Sequence, residues 1–194
     1  MDPRAFIEIM ATAERLKNTF RHSWTSEGRR ESVAEHSWRL ALMALLLEKD
    51  YPEVDINKVI KMCLLHDMGE AFTGDIPAFE KTESDTEVED HAVQIWLNAL
   101  PSEISNDFKT LFTEMNEMQT SEARLYKALD KLEALIQHNE ADLSTWLPLE
   151  YDLQMVYGNE ECMFDPKINI LRGAVREDSK KKIEEQNNGQ KEDR

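Results

Sequence analysis

The stretch LLHDMGEAFTGDIP, residues 64–77, marks the point where a run of helical spacing ends. Apolar residues recur at helical intervals before it, whereas Gly74 and Pro77 oppose continuation of a helix within it. The pair His66-Asp67 therefore stands at the end of an apolar helix, just before the chain enters a loop. A rigid support followed by a loop open to solvent is a setting that suits metal ligands. The stretch thus indicates both a helical fold and a candidate metal site.

Outward from this stretch, helical spacing of apolar residues covers nearly the whole chain. Proline and glycine are scarce, at six each, and runs of β-branched residues are absent. The pattern predicts an all-α protein, a single helical bundle. Its first helix begins at Asp2-Pro3 and carries an apolar stripe that includes Phe6, Met10 and Leu16. A polar connection follows from Arg21 to Arg30.

Start signals place several of the later helices. Ser32-Val33-Ala34-Glu35 is typical of a capping box, and Asp55 is a good N-cap for the helix that ends at His66. Thr120 or Ser121 begins a long helix that extends to about residue 140. Residues 1–177 are expected to form one domain, since a chain of 194 residues suits a single core. Residues 178–194 hold one apolar residue and predict a disordered charged tail.

Composition excludes several classes of function. With 39 acidic and 23 basic residues, the formal charge is −16, which disfavours nucleic acid polymers and anionic membrane surfaces as partners. The longest apolar run, Leu40 to Leu47, is far shorter than the roughly 20 residues that span a bilayer. The two cysteines, Cys63 and Cys162, form no disulfide framework and favour a reducing compartment. A cytoplasmic protein is the expectation.

Polar residues at apolar positions extend the candidate site beyond His66-Asp67. His36 lies on the apolar face of the helix that follows Ser32, where an unpaired imidazole would be costly. Asp130 lies among leucines of the long helix, although it could instead pair with a neighbouring lysine. Glu70 and Asp75 follow the dyad closely. Imidazoles combined with carboxylates suit Mn²⁺, Co²⁺, Fe²⁺ or Zn²⁺, with positions left for water and substrate.

These residues resemble a known family. His36, then His66-Asp67, then Asp130 matches the H…HD…D pattern of HD-domain metal phosphohydrolases. The finer resemblance is to the 5′-deoxynucleotidase branch, the YfbR-like and HDDC-type proteins. Three segments carry it: LKNTFRHSW at 16–24, ESVAEHSWR at 31–39, and the stretch at 64–77 with its GDIP. The likeness extends from the first helix to about residue 166.

The resemblance implies roles for named residues. His36, His66, Asp67 and Asp130 would hold one divalent metal. The preferred ions are Co²⁺ and Mn²⁺, and Fe²⁺, Zn²⁺ and Mg²⁺ are alternatives. Glu70 and Asp75 would act in catalysis beside the reacting phosphate. Arg21 would bind that phosphate, and Trp24 could pack on the sugar or base. The chain departs from both branches of the family. His22 stands directly after Arg21, where one branch has tryptophan. In the other branch the loop before the first histidine is two residues longer than the loop before His36.

The predicted reaction is metal-assisted hydrolysis of (2′-deoxy)nucleoside 5′-phosphates, by a homodimer as the family implies. A nucleoside di- or triphosphate hydrolase is an alternative within the class, as in nucleoside-antibiotic pathways such as that of the oxetanocin A phosphohydrolase. An HD-type di-iron oxygenase is a second alternative, although only His91 and His138 remain to supply further ligands. A non-catalytic nucleotide sensor is a third.

Overall fold

A computed structural model describes residues 1–192 of the chain, except for a few side chains near its end. Helices dominate it, which confirms the all-α prediction. The elements are α1 (Pro3–Arg15), β1 (Phe20–Trp24), β2 (Arg30–Ser32), α2 (Val33–Leu46), α3 (Ile56–Leu65), α4 (Glu70–Thr73), α5 (Glu83–Ala99), α6 (Ser102–Glu117), α7 (Ser121–Glu140), a short 3₁₀ helix (Leu143–Thr145), α8 (Glu150–Val156), α9 (Asn159–Cys162) and α10 (Pro166–Glu192).

The chain divides into two compact units. The first unit comprises residues 1–22 and 30–126, and the second comprises residues 23–29 and the chain from Lys127 onward. The first unit thus contains α1 to α6 and the start of α7. The second contains most of α7 together with α8, α9 and α10.

The predicted helix starts are present as hydrogen bonds. The Asp2 carboxylate accepts from the Ala5 N–H at 3.0 Å, and the Asp55 carboxylate accepts from the Lys58 N–H at 3.1 Å. At α2 both halves of the capping box form. Ser32 Oγ accepts from the backbone N–H of Glu35, and the Glu35 carboxylate accepts from the backbone N–H of Ser32. Each cap satisfies N–H groups that a helix cannot pair internally. These contacts fix where α1, α2 and α3 begin.

A β-hairpin replaces the predicted polar connection at residues 21–30. Strands β1 and β2 pair in a two-stranded sheet. The turn between them closes where the Thr25 N–H donates to the Arg29 carbonyl at 2.8 Å and Gly28 adopts a φ of 78°. Glycine tolerates this left-handed backbone without a steric penalty. The hairpin places Arg21 on a hydrogen-bonded strand.

Helices α2 and α3 pack against each other and hold the core of the first unit. Fully buried apolar side chains on the two helices build this core: Val33, Leu40, Ala44, Val59, Met62 and Cys63. Helix α1 is present with its apolar stripe, but Phe6 and Met10 remain exposed and none of its own residues is buried. Leu16, at its C-cap, is the predicted stripe residue that does become buried.

In the second unit, α10 continues to Glu192 where the sequence predicted a disordered tail from residue 178. Ser179 explains the first added turn, since it is buried and its hydroxyl lies 2.9 Å from the Val175 carbonyl and 2.8 Å from Asn139 Oδ1, either of which can accept its proton. Lys180 then pairs with Glu177 along the helix surface. Residues 193–194 of the predicted tail lie outside the described residues.

None of the helices in the described part of the chain has the length and apolar character that a membrane crossing needs.

Candidate functional site

Three predicted ligands converge in the first unit. His36 comes from α2, His66 is the C-cap of α3, and Asp67 follows it directly. One ligand atom from each lies within 4.8 Å of the others. His66 Nε2 is 2.9 Å from Asp67 Oδ2, and His36 Nε2 is 3.8 Å from the same oxygen. Two imidazole nitrogens and a carboxylate oxygen gathered in this way fit a divalent transition-metal ion.

A backbone contact orients the ring of His66. Its Nδ1 lies 2.9 Å from the Cys63 carbonyl oxygen, which can only accept a hydrogen bond. Nδ1 therefore carries a proton, and Nε2 is the ring nitrogen that faces Asp67. This is the arrangement in which an imidazole serves as a metal ligand, with the second nitrogen held by a carbonyl.

The charge of Asp67 is stabilised by its neighbours. Burial alone would raise the pKa of this carboxyl, but the histidines His66 and His36 and the guanidinium of Arg21 hold it well below its usual range. Arg21 Nη1 donates to Asp67 Oδ2 at 3.4 Å. Asp67 is thus ionised at neutral pH, as a metal ligand must be.

Arg21 is fixed from several sides. Its Nε lies 3.4 Å from Glu31 Oε2, and its carbonyl accepts from the side chain of Arg30 at 2.9 and 2.6 Å. Glu31 is almost completely buried. The guanidinium therefore has a defined position beside the carboxylate of Asp67, as the predicted phosphate-binding role would require.

Glu70 and Asp75 are carboxyls with altered proton affinity. Burial, followed by the charges of Asp67 and Asp75, raises the pKa of Glu70 to about 10. Within the described chain, the buried Glu70 Oε2 has no hydrogen-bond partner. Burial also raises the pKa of Asp75, although Arg21 and a hydrogen bond from the backbone of His22 oppose the rise. A cation bound beside these carboxyls would favour their ionised forms.

Sequence reasoning missed a lysine beside this cluster. Lys81 forms an ion pair with Glu89 on α5. Burial alone would lower the pKa of Lys81, but Glu89 and, more distantly, Glu70 and Asp67 raise it. Lys81 is therefore a second cation, besides Arg21, in the field of these carboxylates. A lysine four residues after Pro77 carries no local signal that would have identified it.

The two remaining predicted site residues lie in the second unit. Asp130 is on α7, and Lys127 Nζ donates to its Oδ2 at 2.9 Å, which is one of the neighbouring-lysine pairings weighed from the sequence. Trp24 ends β1, and its carbonyl accepts from Gln137 Nε2 at 2.7 Å. The ligand role of Asp130 and the substrate role of Trp24 stay predictions.

Close packing at Gly69 supports the turn that carries the candidate ligands. A Cβ at this position would lie 2.5 Å from Glu89 Cγ and 2.9 Å from Val93 Cγ2. We expect Gly69→Ala to lower the free energy of unfolding by about 1–3 kcal/mol, because the added methyl group overpacks a filled site. Urea denaturation measures this change.

Gly173 on α10 provides the matched control for Gly69. A Cβ there meets nothing within 4 Å, so Gly173→Ala should raise the stability by about 0.5–1 kcal/mol through helix propensity. Equal effects of the two substitutions would contradict the steric argument at Gly69.

The raised pKa of Glu70 predicts how stability depends on pH in the metal-free protein. Its ordinary pKa is 4.5 and its folded value is about 10. Between these values only the unfolded chain releases the proton, so each rise in pH favours unfolding. We expect the free energy of unfolding to fall across this range and Glu70→Gln to reduce the slope. The exposed Glu80, changed to Gln, is the control, and an unchanged slope in Glu70→Gln would contradict the assignment.

Comparison with known proteins gives the class of this chain. The family model described as "HD domain" matches residues 13–171, and the chain belongs to that family. The match includes residues of both structural units.

Named relatives narrow the class. The chain is 33% identical over 145 residues to the 5′-deoxynucleotidase HDDC2 of Dictyostelium discoideum, covering 70% of this chain and 76% of that protein. It is 29% identical over 191 residues to HDDC2 of Xenopus laevis, covering 94% and 91%. A predicted metal-dependent phosphohydrolase from Magnetospirillum magnetotacticum MS-1 superposes with a TM-score of 0.76 at 25% identity, covering 92% and 93%. These matches confirm the resemblance to HD-domain phosphohydrolases and to their 5′-deoxynucleotidase branch.

Proposed function

We propose that this chain is a metal-dependent phosphohydrolase that removes phosphate from (2′-deoxy)nucleoside 5′-phosphates. The observation that carries the proposal is the convergence of His36, His66 and Asp67, with Arg21 in contact with that group. The names of the HDDC2 relatives supply the substrate class. In this proposal residues 1–177 act as the catalytic HD domain.

Four residues would hold one divalent metal: His36, His66, Asp67 and Asp130. Asp130 comes to this set through the sequence resemblance alone. The donor set accepts Co²⁺ or Mn²⁺, which the resemblance favours, and also Fe²⁺, Zn²⁺ or Mg²⁺. When bound, such an ion supplies Lewis-acid chemistry, lowering the pKa of a water and neutralising charge on a phosphate oxygen. His91 is exposed and His138 contacts Glu150, so neither supports the ligand set of a di-iron oxygenase.

Arg21 would bind the substrate phosphate and stabilise the charge that develops during hydrolysis. Its contacts with Glu31 and Asp67 hold the guanidinium in place before substrate arrives. A fixed donor loses less conformational entropy on binding than a mobile surface arginine. Lys81, which also interacts with these carboxylates, adds positive charge beside the phosphate in this proposal.

Glu70 and Asp75 would divide the proton transfers. One would accept the proton of the attacking water, and the other would assist departure of the 5′-oxygen. Two carboxyls can hold different protonation states at one pH when their surroundings differ. The surroundings do differ here, since the backbone N–H of His22 donates to Asp75 while Glu70 is more deeply buried.

The proposed function also includes a contact of Trp24, a cellular compartment and an oligomeric state. Trp24 would pack against the sugar or base of the nucleotide. The protein would act in the cytoplasm, which is supported by Cys63 and Cys162, both of which are buried and reduced. It would act as a homodimer, as the family resemblance implies.

The test is phosphate release from dAMP, dCMP, dGMP, TMP, AMP, dATP and ATP. The protein is stripped of metal and reloaded with Co²⁺, Mn²⁺, Zn²⁺ or Mg²⁺, and product chain lengths are resolved. Release confined to monophosphates, with deoxynucleotides preferred, is the expected result. Release from dATP would replace the proposal with a broader nucleotide phosphohydrolase. No release with any metal would overturn it and favour a nucleotide sensor.

A further inference from the structure

Helix α2 presents an apolar stripe to solvent on the side away from His36. Its members are Trp38, Leu42, Leu45 and Leu46, with 63%, 39%, 51% and 72% of their surface exposed. They are spaced i, i+4, i+7 and i+8, so they share one helix face. His36 is completely buried on the same helix. Both faces of α2 are therefore apolar, and one of them has no cover within the described chain.

The stripe has the area of an interface. A tryptophan offers up to about 250 Å², and the four side chains together expose on the order of 500 Å². Patches of this size on soluble proteins commonly mark interaction sites. If two copies covered this patch with the same patch, about 1,000 Å² would be buried in total, which is the lower bound for a specific interface. A symmetric dimer that buries this stripe on both copies thus reaches the area of a specific interface.

The charge distribution favours a second copy as the occupant. Each chain carries a formal charge of −16, so two copies repel each other least on a surface that lacks acidic groups. From residue 36 to residue 47 the sequence has one charged residue, Arg39. Beyond the C-terminal end of α2 the chain is acidic on balance, since Glu48 and Asp50 stand on either side of Lys49 and are exposed. An antiparallel arrangement keeps these acidic ends of the two copies apart, whereas a parallel arrangement would bring them together.

We propose that α2 packs antiparallel against α2 of a second copy, with Leu42 closest to the twofold axis. Leu42 lies midway between Trp38 and Leu46, so these two side chains meet each other across the interface. This isologous contact needs only one self-complementary face. The inference rests on the homodimer in the proposed function but is independent of nucleotide hydrolysis.

The first experiment measures mass by sedimentation velocity over a range of protein concentrations. We expect a species of twice 22.6 kDa for the unchanged protein and at least a hundredfold weaker association for Leu46→Glu. The control is Ile95→Glu, since Ile95 is 59% exposed on α5 and lies outside the stripe. An unchanged protein that stays monomeric, or a Leu46→Glu variant that stays fully dimeric, would overturn the proposal.

The second experiment tests the antiparallel register. Under mild oxidation Leu42→Cys should form a disulfide-linked dimer, because residue 42 meets its own copy at the axis. Leu46→Cys should not, since the two copies of residue 46 would be about 12 Å apart along the helices. Failure of Leu42→Cys, or equal cross-linking of both variants, would overturn this arrangement.

Phosphate release from dAMP, measured on the same samples, separates this inference from the proposed function. A dimer that joins through α2 and hydrolyses no nucleotide refutes the proposed function alone. An active protein that is monomeric refutes the interface alone.

Discussion

Asp67→Ala is expected to lose bound metal and to reduce kcat/KM for dAMP by about a hundredfold to a thousandfold or more. Asp67 is the residue on which the candidate centre converges, since its Oδ2 faces His66, His36 and Arg21. Without that carboxylate the two imidazoles and the guanidinium lose the negative charge that all three of them face. The metal would lose a ligand and Arg21 would lose an anchor.

Two measurements check this result. Metal content per chain is determined by mass spectrometry after reloading, and phosphate release is followed on the same preparation. Circular dichroism shows whether the variant folds, and Asp67→Asn, which keeps the shape of the side chain, provides a second variant. His91→Ala is the control because His91 is exposed on α5. Full metal content and full activity in both Asp67 variants would refute the assigned metal centre.

Glu70→Gln should keep the metal and lose turnover. Glu70 is not part of the converging ligand group, yet it is buried and its proton affinity responds to Asp67 and Asp75. The amide preserves volume but can neither accept nor release the proton that hydrolysis moves. Loss of a proton-transfer group commonly lowers kcat by about 10²–10⁴-fold.

Glu80→Gln is the matched control for this second substitution, because Glu80 is an exposed acid in the following loop. Metal content and kcat, each expressed as a fraction of the value for the unchanged protein, distinguish a metal ligand from a proton-transfer residue. In Asp67→Ala both fractions fall, whereas in Glu70→Gln only the kcat fraction falls. If Glu70→Gln retained full activity, its catalytic role would be wrong. If it lost metal together with activity, Glu70 would be a ligand instead.

Features that depend on contacts between residues close in the chain could be predicted from the sequence. Ser32 and Asp55 determine helix starts through contacts within a few residues, and the structure forms both caps. The exposure of Phe6 and Met10 could not be read in this way, because a stripe shows that a helix is amphipathic but not which surface covers it. The hairpin depends on pairing between strands separated by a turn, and the polar composition of residues 21–30 predicted only a connection.

The candidate site shows the same division. His66 and Asp67 adjoin in sequence, and the end of an apolar helix made them visible. His36 required a burial argument together with the family pattern. The contact of Arg21 with Asp67 spans 46 residues, so only the fold reveals it. Glu31 is the first residue of the family segment at 31–39, but that pattern gave it no role. Lys81 had no distinguishing pattern, since a lysine in a loop is common.

The contact between His66 Nδ1 and the Cys63 carbonyl has a consequence for how this chain can change over time. The group that sets the tautomer of the imidazole belongs to the main chain, which every amino acid at position 63 would supply. Substitution of Cys63 by another small residue would leave ligand orientation intact as long as α3 keeps its last turn. Side-chain volume therefore limits which residues can replace Cys63. The orientation of His66 depends instead on the backbone carbonyl, which is kept as long as the helix is.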